Sequence, residues 1–303
     1  MADLSIDFAG IDFRNPVLLA SGTCGYGREF LPLTDLSRIG GLVSKTITPK
    51  PRAGNRPPRI VETPAGMLNS IGLQNPGLEG FVEEKWPFLA ELGTQVVVNL
   101  AAPTAEGHGE MAARLSQLEG IAALEINISS PNMKDGGMLF GCSAQASAEV
   151  IGAVRRATEL PVLAKLTPNV TDIVAIAKAV EDAGADGISL INTLLGMAVD
   201  IERRRPVLGN ITGGLSGPAI KPVALALVWK VGQAVQVPLM GIGGIVDARD
   251  ALEFIIAGAS CIQVGTASFV NPNAGVEIVE GLDVYCRENG VDRIQSLVGS
   301  LET

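Results

Sequence analysis

Two lysines, a group of asparagines and two glycine clusters stand at the ends of apolar runs, where polar residues are unexpected unless they do something. Lys45 closes the run at 41–46 and Lys165 the run at 162–167. An ammonium there costs free energy unless it meets an anion or takes part in chemistry. Two chemistries fit: a Schiff base with a carbonyl substrate, or a cation that stabilises an anionic cofactor or substrate. The plain alternative is a lysine snorkelling at a rim. Asn69, Asn99, Asn127, Asn132 and Asn192 supply uncharged donors and acceptors, which suits a planar heterocycle bearing N–H and C=O groups. A single asparagine is more often a turn former, but five beside the same run ends favour recognition. Gly241-Ile242-Gly243-Gly244 and Gly265-Thr266 let the backbone approach an oxyanion closely, so they read as a phosphate site rather than as packing glycines. The one histidine, His108, is flanked by glycines and reads as a solvated loop residue. With Asp and Glu scarce at these positions, neither a Ser-His-Asp triad nor a metal centre is expected.

The elements that must position these groups are eight short aliphatic runs, at 17–22, 41–46, 96–101, 123–129, 162–167, 187–192, 238–244 and 261–266. Seven are followed by helical patterns, the clearest at 78–92, 105–118, 144–160, 172–183, 218–235, 247–257 and 274–288. Alternation of this kind over 303 residues predicts a single α/β domain, 1–303, folded as a (β/α)8 TIM barrel. Parallel strands open their C-terminal ends onto one mouth, so the residues closing the runs are expected to share one site. Thr171-Asp172 and Ser216-Gly217-Pro218 carry helix start signals, and Gly184 and Gly258 sit where helices should stop. Two runs around Ala9-Gly10 predict an N-terminal β-hairpin that plugs the barrel bottom. Long loops follow strands 2 and 6, at 47–76 (with six prolines) and at 193–217, and read as lids.

Composition bounds the function. A net charge of −9 argues against nucleic acid or an anionic membrane surface as partner. The N-terminus lacks a basic-then-apolar signal, and the most apolar stretch, 223–231, is far short of a membrane span. A cytoplasmic location is expected. Cys24, Cys142, Cys261 and Cys286 have neither a disulfide spacing nor an iron–sulfur or zinc spacing.

Longer motifs carry a resemblance. Ser44-Lys45-Thr46, the stretch Asn69-Ser70-Ile71-Gly72-Leu73-Gln74-Asn75-Pro76-Gly77, Asn127-Ile128-Ser129-Ser130-Pro131-Asn132, Lys165-Leu166-Thr167-Pro168-Asn169, Ile191-Asn192-Thr193 and Gly213-Gly214-Leu215-Ser216-Gly217-Pro218 occur in order. The chain resembles the class 1 dihydroorotate dehydrogenases, most closely the catalytic subunits of the NAD-linked B subtype. That resemblance implies an FMN enzyme oxidising dihydroorotate to orotate in pyrimidine (UMP) biosynthesis. It implies FMN contacts at Ser21, Lys45, Thr46, Asn99, Asn127, Lys165, Ile191, Gly217, Gly243, Gly244, Gly265 and Thr266. Substrate contacts would be Lys45, Asn69, Ser70, Ile71, Gly72, Leu73, Asn127, Asn192 and Thr193. Lys165 would act on the flavin electrostatically. The class 1 base is a cysteine in the loop after strand four; this chain has Ser130 there, as the quinone-using class 2 does, so Ser130 is the expected catalytic base. The B subtype implies a homodimer within a heterotetramer, whose second subunit carries FAD and a 2Fe–2S cluster and passes electrons to NAD. Fumarate is the alternative acceptor. Competing functions are a related FMN-dependent pyrimidine oxidoreductase, a Schiff-base lyase using Lys165, and a non-catalytic barrel that holds a phosphorylated ligand.

Overall fold

Parallel strands buried on both faces need continuous aliphatic sequence, and the eight runs supply it. In the computed structural model, which describes residues 2–128 and 140–302, they form Val17–Leu19, Gly41–Val43, Gln95–Leu100, Ile121–Asn127, Val162–Leu166, Gly187–Leu190, Leu239–Ile242 and Ala259–Val264, numbered here as strands one to eight. They close a barrel in which each strand pairs in parallel with its sequence neighbours and strand eight returns to strand one. Most are shorter than the apolar runs at their C-terminal ends. Lys45, Asn192 and Gly243 therefore leave the ladder and stand in the loops of the mouth.

The hairpin Ile6–Phe8 with Ile11–Phe13 lies under the barrel. Phe8 and Phe13 are fully buried and meet edge to face at 6.3 Å. Phe8 packs on the first residue of strand six, where a Cβ on Gly187 would come within 2.7 Å of its ring. The bottom is thus plugged by aromatic carbon, and the mouth is left for polar work.

Several helices begin as their sequences require. The Asp172 carboxylate accepts from the Val174 and Ala175 N–H groups to start Ile173–Asp182, and Asp247 accepts from Asp250 to start Ala248–Ile256. Gly184 and Gly258 follow helix ends with φ of 97° and 122°. Two helices differ from expectation. The segment at 78–92 splits into Gly77–Glu84 and Trp86–Ala90, because Pro87 has no N–H to continue the first helix. The segment at 218–235 opens as a 3-10 turn, Pro218–Ile220, before the helix Lys221–Gly232.

The two long loops are not separate lids. Ile60–Thr63 and Gly66–Asn69 form a hairpin from the first excursion. Gly66–Asn69 pairs with Thr212–Ser216 of the second, which pairs in turn with Leu194–Met197. One antiparallel sheet therefore stands as a wall at the mouth. Glycine permits its tight seam: a Cβ on Gly214 would lie 2.0 Å from Thr193 Oγ1.

His108 is a correction. It lies in the helix Ala105–Leu115 and is 1% exposed, not solvated in a loop. Thr104 caps this helix by accepting from the Gly107 N–H, and Gly109 lets it approach the Ala153 carbonyl closely. Nδ1 lies 2.8 Å from the Thr104 carbonyl, and Nε2 accepts from the Ala102 N–H at 3.0 Å, so the ring is neutral. Burial pushes its pKa down from about 6.5 to about 4. An unfolded chain binds this proton between those pH values and the folded one does not. Folding stability is therefore expected to fall as pH drops from 6.5 to 4, by on the order of 3 kcal/mol from this group. Urea denaturation at pH 7 and pH 4.5 checks it, and a His108→Gln variant should lose that share of the acid sensitivity. Equal acid sensitivity in the two proteins would contradict the assignment.

Candidate active site

Register stacks the polar residues in two levels. Asn127 on strand four pairs with Lys165 on strand five, and Asn99 on strand three pairs with Glu125 on strand four. A cleft opens above them at the barrel mouth. Strand ends and the following loops contribute Ser21, Lys45, Thr46, Asn127 and Lys165 to its lining. Ile191, Asn192 and Thr193 enter after strand six, and Asn69, Ile71, Gly72 and Leu73 come from the wall and the loop beyond it. Gly217, Gly243, Gly244, Gly265 and Thr266 also line it. Ser130 and Asn132 lie outside the described residues.

Two expected contacts are placed elsewhere. Asn99 is fully buried beneath the cleft, where its Nδ2 donates to Glu125 Oε1 at 2.6 Å. Ser70 is 1% exposed, and its hydroxyl accepts from Asn55 Nδ2 at 3.0 Å. Neither side chain lines the cleft.

The glycine cluster is built for close approach. Gly243 and Gly244 have φ of 132° and 73°. A Cβ on Gly244 would sit 2.8 Å from the Lys221 backbone nitrogen and 2.9 Å from the Gly217 carbonyl. No side chain fits at Gly244 without displacing that backbone, so the position requires glycine. Lys221 is itself tied by Asp250 at 2.6 Å and Glu253 at 2.9 Å, and Asp250 also accepts from the Val246 N–H, which fixes the loop.

The two lysines differ in their surroundings. Lys45 is partly buried, and among the described residues its Nζ has no carboxylate or hydrogen-bond partner. Burial lowers its pKa from the usual lysine value. An unpaired, partly desolvated ammonium is an anion site. Lys165 is 5% exposed and pairs with Glu125 Oε1 at 3.1 Å. Burial pushes the Glu125 pKa up, but the Lys165 ammonium and the Gln263, Ser189 and Asn99 side chains outweigh it and hold the carboxyl below its usual value. Gln263 donates to Oε2 at 2.7 Å from strand eight, across the barrel interior. Sequence reading missed Glu125. The available signal was period-2 alternation, which places Glu125 and Asn127 on one strand face.

The geometry bears on one of the competing chemistries. An ammonium clamped by a buried carboxylate has no free lone pair with which to attack a carbonyl, so Lys165 is poorly placed for a Schiff base. Among the described residues no cluster of His, Cys, Asp or Glu could hold a metal. No helix among the described residues is long and apolar enough to cross a membrane.

A family model for dihydroorotate dehydrogenase matches residues 3–285. The chain belongs to this family. Dihydroorotate dehydrogenases similar to it along nearly their whole length include a protein of Pelobacter propionicus, 58% identical over 99% of both chains. Another, from Geobacter sp. strain M21, is 57% identical over 99% of this chain and 98% of its own. A third, from Geobacter sulfurreducens, is 53% identical with the same coverage. All three are named dihydroorotate dehydrogenase B (NAD(+)), catalytic subunit.

Proposed function

We propose that this chain is the catalytic subunit of an NAD-linked dihydroorotate dehydrogenase, oxidising dihydroorotate to orotate in pyrimidine biosynthesis. The observation that carries the reading is one cleft lined by a cluster of glycines and by two lysines of different character. Those residues fit FMN. The cradle at Gly243, Gly244 and Gly265 suits a phosphate, and the carboxamide-lined space suits stacked heterocycles. FMN bound there supplies a hydride acceptor that no side chain offers.

The chain's own residues then have separable tasks. The glycine N–H groups hold the phosphate, with Thr266 Oγ1 oriented by its 2.8 Å hydrogen bond to Ser216. Lys165, held by Glu125, would supply a fixed cation to bound FMN. Asn69, Asn127 and Asn192 orient the pyrimidine, and Lys45 meets its carboxylate, the flavin, or both. Asn192 Oδ1 accepts from the Thr193 N–H at 2.8 Å, which aims its amide. The sheet wall excludes water from the reacting face. Ser130 removes the C5 proton. A partner subunit carrying FAD and a 2Fe–2S cluster would pass the electrons to NAD, in a cytoplasmic heterotetramer built on a homodimer of this chain.

Anaerobic titration of the purified protein with dihydroorotate should bleach the flavin absorbance, and NAD should restore it only when the partner is present. Colourless protein that takes up no added FMN would defeat the reading. The cradle gives a finer check. Gly244→Ala places a methyl against two backbone atoms at a positive φ. It is expected to weaken FMN binding at least tenfold, about 1.4 kcal/mol, as read by flavin fluorescence during titration of the apoprotein. Unchanged affinity would remove the phosphate from this part of the cleft.

A further inference from the structure

The floor of the cleft holds a charge that the tasks above leave unused. Glu125 is fully buried and does not line the cleft. Lys165 Nζ and Asn99 Nδ2 donate to its Oε1 at 3.1 and 2.6 Å, and Gln263 Nε2 donates to its Oε2 at 2.7 Å. These donors come from strands five, three and eight, so the carboxylate is fixed from three directions. As a device for stability the arrangement is poor. Desolvating two charges cancels most of their attraction, and apolar residues of similar volume often do as well or better. Its use lies instead in what stands above it: the Lys165 ammonium lies between this carboxylate and the cleft.

We propose that Glu125 is a positioning residue, pinning the Lys165 ammonium beneath the cofactor ring and offsetting its charge, so that it sets how strongly the site favours reduced over oxidised FMN. This rests on FMN occupying the cleft. Reduction adds negative charge to the ring system, and a bare ammonium below would stabilise that charge strongly. The carboxylate moderates the pull and holds the flavin potential lower than Lys165 alone would leave it. Removing the negative charge while keeping the shape should therefore raise the potential.

Glu125→Gln is the isosteric test, and the surroundings can accept it. Gln263 Oε1 and Asn99 Oδ1 are buried without partners among the described residues, so rotating the Gln263 amide offers an acceptor to the new N–H. The measurement is the FMN midpoint potential of wild type, Glu125→Gln and Glu125→Asp holoproteins by spectroelectrochemical titration at neutral pH. The glutamine variant is expected to favour reduced over oxidised FMN at least tenfold more than wild type does, an upward shift of about 30 mV for two electrons. The aspartate variant, whose carboxylate is drawn back by one methylene, should fall between the two. A merely structural Glu125 would lower the melting temperature and leave the potential where it was. An unchanged or lower potential in the glutamine variant overturns the proposal. Should that variant fail to fold, an aspartate variant identical to wild type overturns it equally. Wild-type protein unable to take up FMN is seen before any variant is made, and it defeats the cofactor reading and this proposal together.

Discussion

Lys165→Met is expected to cost about 3–5 kcal/mol of folding stability at pH 8. The side chains are close in length, so packing changes little. What changes is that Glu125, fully buried, loses the cation 3.1 Å from its Oε1 and keeps only amide donors and the nearby Ser189 hydroxyl. In the wild type the ammonium, with those donors, overcomes burial and holds the carboxyl below its usual pKa. Without the ammonium, burial wins and the folded-state pKa rises above the unfolded value of about 4.3. The sign of the pH dependence follows. In wild type this group's stabilisation is present above pH 4.3 and is lost as pH falls through the lowered folded pKa. In the variant the folded state holds a proton that the unfolded state releases, so the variant loses stability as pH rises above 4.3. The gap between the two proteins should therefore be wide at pH 8 and narrow at pH 5. Urea denaturation at both values, with FMN at the same excess, measures it. A double variant, Lys165→Met with Glu125→Gln, should recover most of the loss, since it removes the stranded charge. Equal stability of single variant and wild type at pH 8 would mean that the two groups are not coupled in solution.

The same pair shows where sequence reading stops. The barrel was legible because a strand buried on both faces must be a continuous aliphatic run, and a polar residue closing such a run is conspicuous. Lys45, Asn127, Lys165 and Gly243 could be found that way, and all four line the cleft. Glu125 lies inside its run, and the groups that make it tolerable are 40 residues away at Lys165 and 138 away at Gln263. Nothing local announces them. Ser70 and Asn99 were read as contacts because they lie within or beside the right motifs. Asn99 faces the barrel interior but one layer below the cleft, where its amide is spent on Glu125, and the hydroxyl of Ser70 turns to Asn55. The wall was missed for a similar reason. Asn69 pairs with Gly214 across 145 residues, and prolines and glycines in both segments disguise the strands as loops. His108 was misread because its flanking glycines suggest a turn, when they allow close packing around a capped helix. The split at Pro87, by contrast, was available from sequence: a proline that deep in a helical pattern has to interrupt the ladder.

Ser130→Ala should slow flavin reduction by dihydroorotate by roughly 10²–10⁴-fold, the usual worth of a positioned general base, while leaving FMN bound and orotate affinity within about threefold. Ser130 lies outside the described residues, and its role as base is what the resemblance to the family implies. His108 is the sole histidine, and both its ring nitrogens are committed to backbone groups of the turn that leads into its helix. Cys24 lies within reach of Lys45's charge, but burial and Glu29 push its thiol up to about 12, and its Sγ points at the Ala20 and Val43 carbonyls. Glu125 is held below its usual pKa but lies sealed under Lys165, outside the cleft lining. A serine hydroxyl in that role must hand its proton on as it takes one from C5, to ordered water or a neighbouring group. Ser130→Cys sharpens the point. A thiol of ordinary acidity titrates near 8.5, so this variant should keep substantial activity and gain a rate that climbs with pH through about that value. Anaerobic stopped-flow across pH 6–10 reads both variants. Wild-type rates in the alanine variant would place the base elsewhere, and a cysteine variant with the wild-type pH profile would mean that position 130 does not carry the proton.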